Sequence, residues 1–261
     1  MKKILPLLLV LTFACGGEKA DQEKVSRNDT IRIGTEGAYP PFNYIDANGD
    51  LQGFEIDLAR ELCRAMQKKC EFVAQDWDGI IPALEAGKYD VIMAAMSITE
   101  ERKKRVDFTN KYLNTPARFV ARRGSSFEIS TAGLKGKNTG AQRSTTHANY
   151  LQDVYGSVAN VKLYDTQEAA NLDLVNGRLD LLLSDSIPLY EWMKKKPGVD
   201  FEFVGPPIND PRWFGEGIGG AVRKGETELV RLFNEAIEEI RKDGSYTKIN
   251  AKYFPFDVYG N

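Results

Sequence analysis

The sequence predicts an α/β protein of two lobes, each a mostly parallel sheet flanked by helices. Three observations point there. From residue 30 onward, short apolar runs alternate with segments of helical periodicity, the pattern of strands covered by helices. The order strand, helix, strand, helix, strand occurs twice, once within 30–96 and again within 137–183. Segment 108–119, with Asn114-Thr115-Pro116, and the Gly- and Pro-rich segment 205–220 follow the two units and read as crossings between lobes.

Residues 30–35 form the first strand. After a Gly- and Pro-rich loop, residues 54–66 place Leu58, Leu62 and Met66 at helical spacing with Ala59 and Cys63 beside them, so that helix has one buried face. Residues 71–74 read as the next strand. Asp78 caps a helix running through Ala86, with Pro82 in its opening turns and Gly87 as its stop. Residues 90–96 are nearly all apolar, as a strand covered on both faces should be. The second unit reads as strand 137–141, helix 146–154, strand 161–164, helix 167–176 and strand 179–183. A further strand at 218–222 precedes a helix whose stripe is Leu229, Leu232, Phe233, Ala236, Ile237 and Ile240, ended by Gly244. Glu226 and Glu228 at its start, and Arg241 and Lys242 at its end, suit the helix dipole. This last strand and helix are expected to complete the first lobe, giving a waist with at least two connections that can hinge. The expected division is lobe 1 at 29–113 plus 218–261, lobe 2 at 118–213, and hinge segments near 114–117 and 214–217.

The 35 basic and 37 acidic residues nearly cancel and no long basic run occurs, which excludes nucleic acid as a partner. Lys2 and Lys3 precede an apolar run, 4–14, too short to span a bilayer and shaped like the core of a secretory leader. Residues 1–28 are therefore expected to be a leader and a polar tether. The string Leu11-Thr12-Phe13-Ala14-Cys15 resembles a bacterial lipobox, which implies lipidation of Cys15; plain cleavage nearby is the alternative, since Thr12 and Phe13 are not the favoured residues there. Export puts Cys63 and Cys70 in an oxidising compartment, where they form a plausible pair between a helix end and a strand start. Two reduced buried cysteines are the alternative. Zinc is disfavoured because His147 is the only histidine, and no metal or other cofactor is expected.

In an open α/β sheet, ligands gather at the carboxyl ends of the strands, and two facing lobes set two such edges across one cleft. Glu36, Gly37 and Tyr39 follow the first strand, Asp76, Trp77 and Asp78 the second, and Ser97, Thr99 and Arg102 the third. Arg143 to Thr146, and Asp185, stand at matching ends of the second unit. An aromatic pair, a guanidinium, hydroxyls and carboxylates in those places outline an amino-acid receptor. Arg102 can grip a carboxylate through two parallel hydrogen bonds, helped by backbone N–H groups and the Ser97 or Thr146 hydroxyl. Asp185 supplies the opposite charge for an α-ammonium. Tyr39 and Trp77 can sandwich a side chain and attract a cation, and Glu36, with Glu55 behind it, can meet a terminal guanidinium or ammonium. Each residue also has an ordinary reading: Arg102 as a solvated helix residue, Trp77 as core, Asp185 as a helix cap, and Arg143 and His147 as surface positions. Their shared place at strand ends favours the site.

In these same segments the chain resembles the type II periplasmic solute-binding proteins for polar amino acids. The likeness runs over 29–261, through Gly34-Thr35-Glu36-Gly37-Ala38-Tyr39-Pro40-Pro41-Phe42, Gly53-Phe54-Glu55-Ile56-Asp57-Leu58, Trp77-Asp78-Gly79-Ile80-Ile81-Pro82 and Ser97-Ile98-Thr99-Glu100-Glu101-Arg102. The end, Lys252-Tyr253-Phe254-Pro255-Phe256-Asp257-Val258-Tyr259-Gly260, fits as well. The resemblance implies a two-lobed periplasmic binding fold of type II joined by a two-strand hinge. It also implies a monomer in the periplasm or at the cell surface, held to the membrane only by a lipid anchor, that delivers its ligand to an inner-membrane ABC permease. The members most similar bind lysine, arginine, ornithine or histidine. In them the position matching Arg102 holds the ligand carboxylate, that matching Asp185 the α-ammonium, Tyr39 and Trp77 match aromatic walls, Ser97 and Thr146 match headgroup contacts, and Cys63 and Cys70 match a disulfide.

Two departures bear on the ligand. Glu36 stands where the basic-amino-acid binders commonly have aspartate, and Ala94 and Ala95 stand where they have serines, keeping backbone carbonyls and losing hydroxyls. Both changes resemble opine-binding members, whereas the retained Asp185 suits a primary ammonium. Arginine is expected first, then lysine, ornithine or histidine, with an opine as the alternative. A dehydratase-like enzyme on this scaffold, with Glu36 or Glu55 as general acid, is the rival of another class; intact carboxylate and ammonium clamps favour retention of an unmodified ligand. A ligand-sensing role on the same scaffold presents the same closed surface to its reader.

Overall fold

Strand β1 (Thr30–Thr35) buries Ile31 and Ile33 at alternate positions, and the first lobe is assembled around it. The computed structural model describes residues 29–260; Cys15, the leader and the tether lie outside the described residues. Strands β2 (Ala38–Tyr39), β3 (Asn43–Ile45) and β4 (Leu51–Gln52) make a small antiparallel sheet beside helix α1 (Phe54–Ala65). Then come β5 (Lys69–Ala74), a tight 3₁₀ turn at Trp77–Gly79, α2 (Ile80–Glu85), β6 (Val91–Ile92), α3 (Glu100–Lys103) and β7 (Val106–Leu113). The chain crosses to a second sheet with β8 (Ala117–Arg122), β9 (Asn138–Gln142), α4 (Thr146–Tyr150), β10 (Asn160–Tyr164), α5 (Gln167–Val175), β11 (Leu181–Asp185), α6 (Ser186–Met193), β12 (Phe201–Ile208) and α7 (Pro211–Phe214). It returns as β13 (Ile218–Arg223), α8 (Thr227–Lys242) and α9 (Ser245–Tyr253).

The first large sheet has the order β5-β1-β6-β13-β7 and the second β10-β9-β11-β8-β12. In each, one strand, β13 or β8, runs antiparallel to both its neighbours while the others share a direction. The sheets are thus mostly parallel by strand direction and mixed by pairing, because the strand that enters from the other lobe is inserted against the rest. The register from Thr30↔Lys69 to Thr35↔Ala74 sets the carboxyl ends of β1 and β5 level, and Tyr164↔Gln142 does the same for β10 and β9. These two edges face each other.

Apolar clusters cover both faces of each sheet. Ile33, Phe54, Leu58, Leu62 and Phe233 join α1 and α8 to one face of the first sheet, and Ile80, Leu84, Tyr89 and Ile92 join α2 to the other. Leu151, Leu181 and Leu183, and then Leu174, Leu182 and Leu189, do likewise in the second. Cys63 and Cys70 are joined by a disulfide, with Cα atoms 6.0 Å apart, tying the last turn of α1 to β5. Gly53 opens α1 at φ +123, where a Cβ would lie 2.3 Å from the Phe42 carbonyl oxygen; no other residue fits there.

Several elements differ from expectation; Asp78, for one, lies inside the turn Trp77–Gly79 and makes no capping hydrogen bond to α2. The strand expected at 90–96 ends at Ile92; Ala95 adopts φ 51 and kinks the chain, which meets β13 again through Ser97 and Ile218. The crossing segment 108–119 consists largely of β7 and β8, with only 114–116 between them. Gly244 ends α8 and opens a further helix, α9, in the left-handed conformation with φ 84.

Candidate functional site

The loops at the two facing edges line one cavity between the lobes. On the first lobe, Thr99 caps α3 by accepting from the Arg102 N–H at 3.3 Å. The guanidinium donates from Nη1 to the Ser97 carbonyl at 3.1 Å and lies 5.2 Å from the Trp77 ring centroid. Arg102 is therefore oriented rather than solvated. Glu36 enters from the end of β1 and Tyr39 from β2.

On the second lobe, Asp185 ends β11 and precedes α6 without capping it through its side chain. Its Oδ2 instead accepts from the Tyr39 hydroxyl of the opposite lobe at 2.7 Å. That hydroxyl is also 2.9 Å from Ser184 Oγ, which donates to Gln167 Oε1 at 2.7 Å. Gln142 Nε2 donates to Glu36 Oε1 at 2.5 Å, and Trp77 Nε1 to the Ser144 carbonyl at 3.1 Å. These bonds cross between the sheets, so the structure has its lobes closed upon each other.

The family profile of the bacterial extracellular solute-binding proteins, family 3, matches residues 31–256. The chain belongs to that family. It is 47% identical over 233 residues to an L-arginine-binding protein of Pseudomonas aeruginosa, covering 88% of this chain and 90% of that one. It is 39% identical over 256 residues to the lysine/arginine/ornithine-binding periplasmic protein of Escherichia coli, covering 97% and 98%. Among solved structures, an ancestral arginine-binding protein bound to arginine superposes with a TM-score of 0.80 at 40% identity, over 87% of this chain and 98% of the other. The fold is that of the two-lobed periplasmic binding proteins.

Eight of the nine residues expected at the site of this solute-binding protein, Glu36, Tyr39, Trp77, Ala95, Ser97, Arg102, Thr146 and Asp185, line the one cavity. Glu55 does not, which corrects its assignment as a ligand contact. It lies fully buried behind the wall, where Oε1 accepts from the Ala95 N–H at 2.7 Å and from the Tyr112 hydroxyl, and Oε2 from Asn43 Nδ2 at 2.7 Å. Asn43 Oδ1 in turn accepts from the Gly37 N–H at 2.8 Å. Glu55 thus holds the loop after Glu36 and the strained turn at Ala95 in one network. Ala94, Gln142, Thr145, His147, Gln167 and Ser184 complete the lining. Gln142 and Ser184 stand at strand ends, the same signal that points to the charged residues. Arg143 faces away, paired with Asp165 at 2.8 Å and Asp78 at 3.7 Å.

Burial governs the charges. It pushes the Glu36 carboxyl up to about 7 against the Gln142 hydrogen bond, with Asp76, Glu55 and Asp78 adding repulsion. Burial also raises Asp185 to about 7, opposed by the Tyr39 hydrogen bond and by Arg102. Arg102 is lowered to about 10 by burial and stays cationic. His147 falls to about 3 through burial and the nearby Arg102, so its ring is neutral. The cavity then holds one guanidinium and two carboxylates that resist ionising until a cation joins them.

Proposed function

We propose that this protein is the extracytoplasmic substrate-binding component of an ABC transporter and that it captures free arginine, with lysine, ornithine or histidine as weaker ligands. The observation that carries the ligand is the charge count of the cavity. Arg102 and Asp185, on opposite lobes, balance the carboxylate and ammonium of an amino acid. Glu36 then remains, and only a cationic side chain neutralises it. Arginine suits this remainder in charge, and the relatives named for arginine support the choice. An opine brings a further carboxylate for which the cavity offers no second cation, so it is the less favoured alternative.

In this mechanism the ligand docks on the lobe bearing Glu36, Tyr39, Trp77, Ala95, Ser97 and Arg102. The second lobe then closes, bringing Asp185 and the Thr146 turn, and the ligand stabilises closure by the contacts it makes only there. The hinge consists of the segments near 114–117 and 214–217, between lobe 1 at 29–113 plus 218–261 and lobe 2 at 118–213. The mature chain is a monomer tethered by lipid at Cys15 and hands its ligand to the permease unmodified. Glu36 and Glu55 serve in binding and support rather than proton transfer, since Glu55 is sealed from the cavity by its own hydrogen bonds.

Calorimetric titration with arginine, lysine, histidine, glutamine and octopine tests the reading. Arginine should bind at micromolar concentration or tighter and be recovered unchanged, and Arg102→Ala should abolish binding. A preference for glutamine or octopine, or undiminished arginine binding by Arg102→Ala, would sink it.

A further inference from the structure

Four buried side-chain polar atoms among the described residues have no hydrogen-bond partner, and of these only His147 Nε2 belongs to a residue lining the cavity. Thr145 caps α4 by accepting from the Ala148 N–H at 3.1 Å, which fixes the first turn and the place of His147 within it. The ring packs against Phe214, centroids 5.4 Å apart, and the His147 side chain is only 7% exposed. Nε2 stands 3.6 Å from Asp185 Oδ1, beyond hydrogen-bond range. The other oxygen, Oδ2, is taken by the Tyr39 hydroxyl at 2.7 Å. One carboxylate oxygen and one imidazole nitrogen therefore share the same part of the cavity wall, neither bonded to the other.

We propose that His147 is a specificity-determining residue whose Nε2 accepts a hydrogen bond from the ligand's α-ammonium, so that Asp185 and His147 together take two of its three protons. This rests on the amino-acid reading of the cavity given above. A neutral imidazole with its proton on Nδ1 offers one lone pair at Nε2. A primary ammonium can donate to that lone pair and to Asp185 Oδ1 at once, with a third proton left for a hydroxyl such as Ser97 or Thr146. A secondary ammonium has two protons and a carbon in place of the third, so it forfeits one of these partners and must fit the extra carbon into a closed wall. A carboxylate in the same place would meet Asp185 with like charge. His147 thereby separates free amino acids from their N-substituted derivatives.

The test is calorimetry of the mature chain, wild type, His147→Ala and His147→Gln, against arginine, Nα-methylarginine, argininic acid (α-hydroxyl in place of the amine) and agmatine (no carboxylate). His147→Ala should weaken arginine about 10- to 100-fold, as for a lost hydrogen bond to a charged group, and His147→Gln, whose amide oxygen accepts, should recover most of it. The Ala penalty should disappear with argininic acid and persist with agmatine, and the preference for arginine over Nα-methylarginine should shrink. An equal penalty for arginine and argininic acid, or a penalty that disappears with agmatine instead, overturns the assignment. Melting curves within a few degrees of wild type establish that the variants fold; if His147→Ala does not, His147→Gln and His147→Phe carry the same comparison. A wild type that binds glutamine and not arginine refutes the side-chain reading alone, and glutamine with its Nα-methyl and α-hydroxy analogues then tests His147.

Discussion

Replacing Glu36 with glutamine removes the charge that selects the ligand side chain while keeping an oxygen to accept from Gln142 Nε2, now 2.5 Å from Oε1. Removing one partner of a buried, hydrogen-bonded charge pair costs about 2–5 kcal/mol. Glu36 is only partly buried, which puts the loss at the lower end, about 2–3 kcal/mol, or about 30- to 150-fold in arginine affinity. Citrulline has the shape of arginine with a neutral ureido group, so it never forms the ion pair. Its affinity in Glu36→Gln should change by no more than about threefold, within the range of one ordinary hydrogen bond. Titration of wild type and variant with both ligands reads the difference directly. If arginine and citrulline weaken by the same factor, Glu36 acts through shape and the charge argument is refuted.

Protons should compete with the ligand and favour closure of the ligand-free protein. Burial raises Glu36 and Asp185 to about 7 in the closed arrangement, whereas in an open cleft both return toward ordinary carboxylate values near 4. The closed form then binds protons more tightly, so lowering the pH through about 7 should favour it, and raising the pH should open the lobes. Small-angle scattering should give a smaller radius of gyration at pH 5.5 than at pH 8; no change or the reverse contradicts this. With arginine bound, the ligand's cation stabilises the ionised carboxylates, so arginine affinity should fall as pH drops below about 7. Glu55→Ala strips the acceptor from Ala95, Asn43 and Tyr112, and should cost about 3 kcal/mol in denaturant unfolding and weaken arginine although Glu55 does not line the cavity. Unaltered affinity in a destabilised variant would separate the network from the site.

Much of the fold was legible because apolar runs and helical stripes mark strands and helices locally. Leu58, Leu62 and Cys63 on α1, and Phe233, Ala236, Ile237 and Ile240 on α8, are buried as their spacing requires. Strand ends then located Glu36, Trp77, Arg102 and Asp185, since chemistry at such an edge depends on topology more than on side-chain packing. What stayed hidden depends on contacts distant in sequence. Met93-Ala94-Ala95-Met96 looks like continuing strand, yet Glu55, 40 positions away, captures the Ala95 N–H and holds a turn within that run. The same contact explains why Glu55 is no ligand residue: its oxygens are spent on Asn43 and Tyr112 as well, and no local pattern announces either partner. Gln142, Ser184 and His147 became visible only in three dimensions, because their significance lies in Glu36 and Tyr39 across the cleft and in Asp185 on their own lobe.

The central claim is that one cavity seats the headgroup between Arg102 and Asp185 and the cationic end against Glu36. A crystal structure of the mature chain grown with arginine measures this directly. The predicted result has the α-carboxylate on Arg102, the α-ammonium on Asp185 and the guanidinium on Glu36, each within about 3 Å, with the lobes closed. Arginine lying the other way round, or bound outside the cavity of closed lobes, would contradict it.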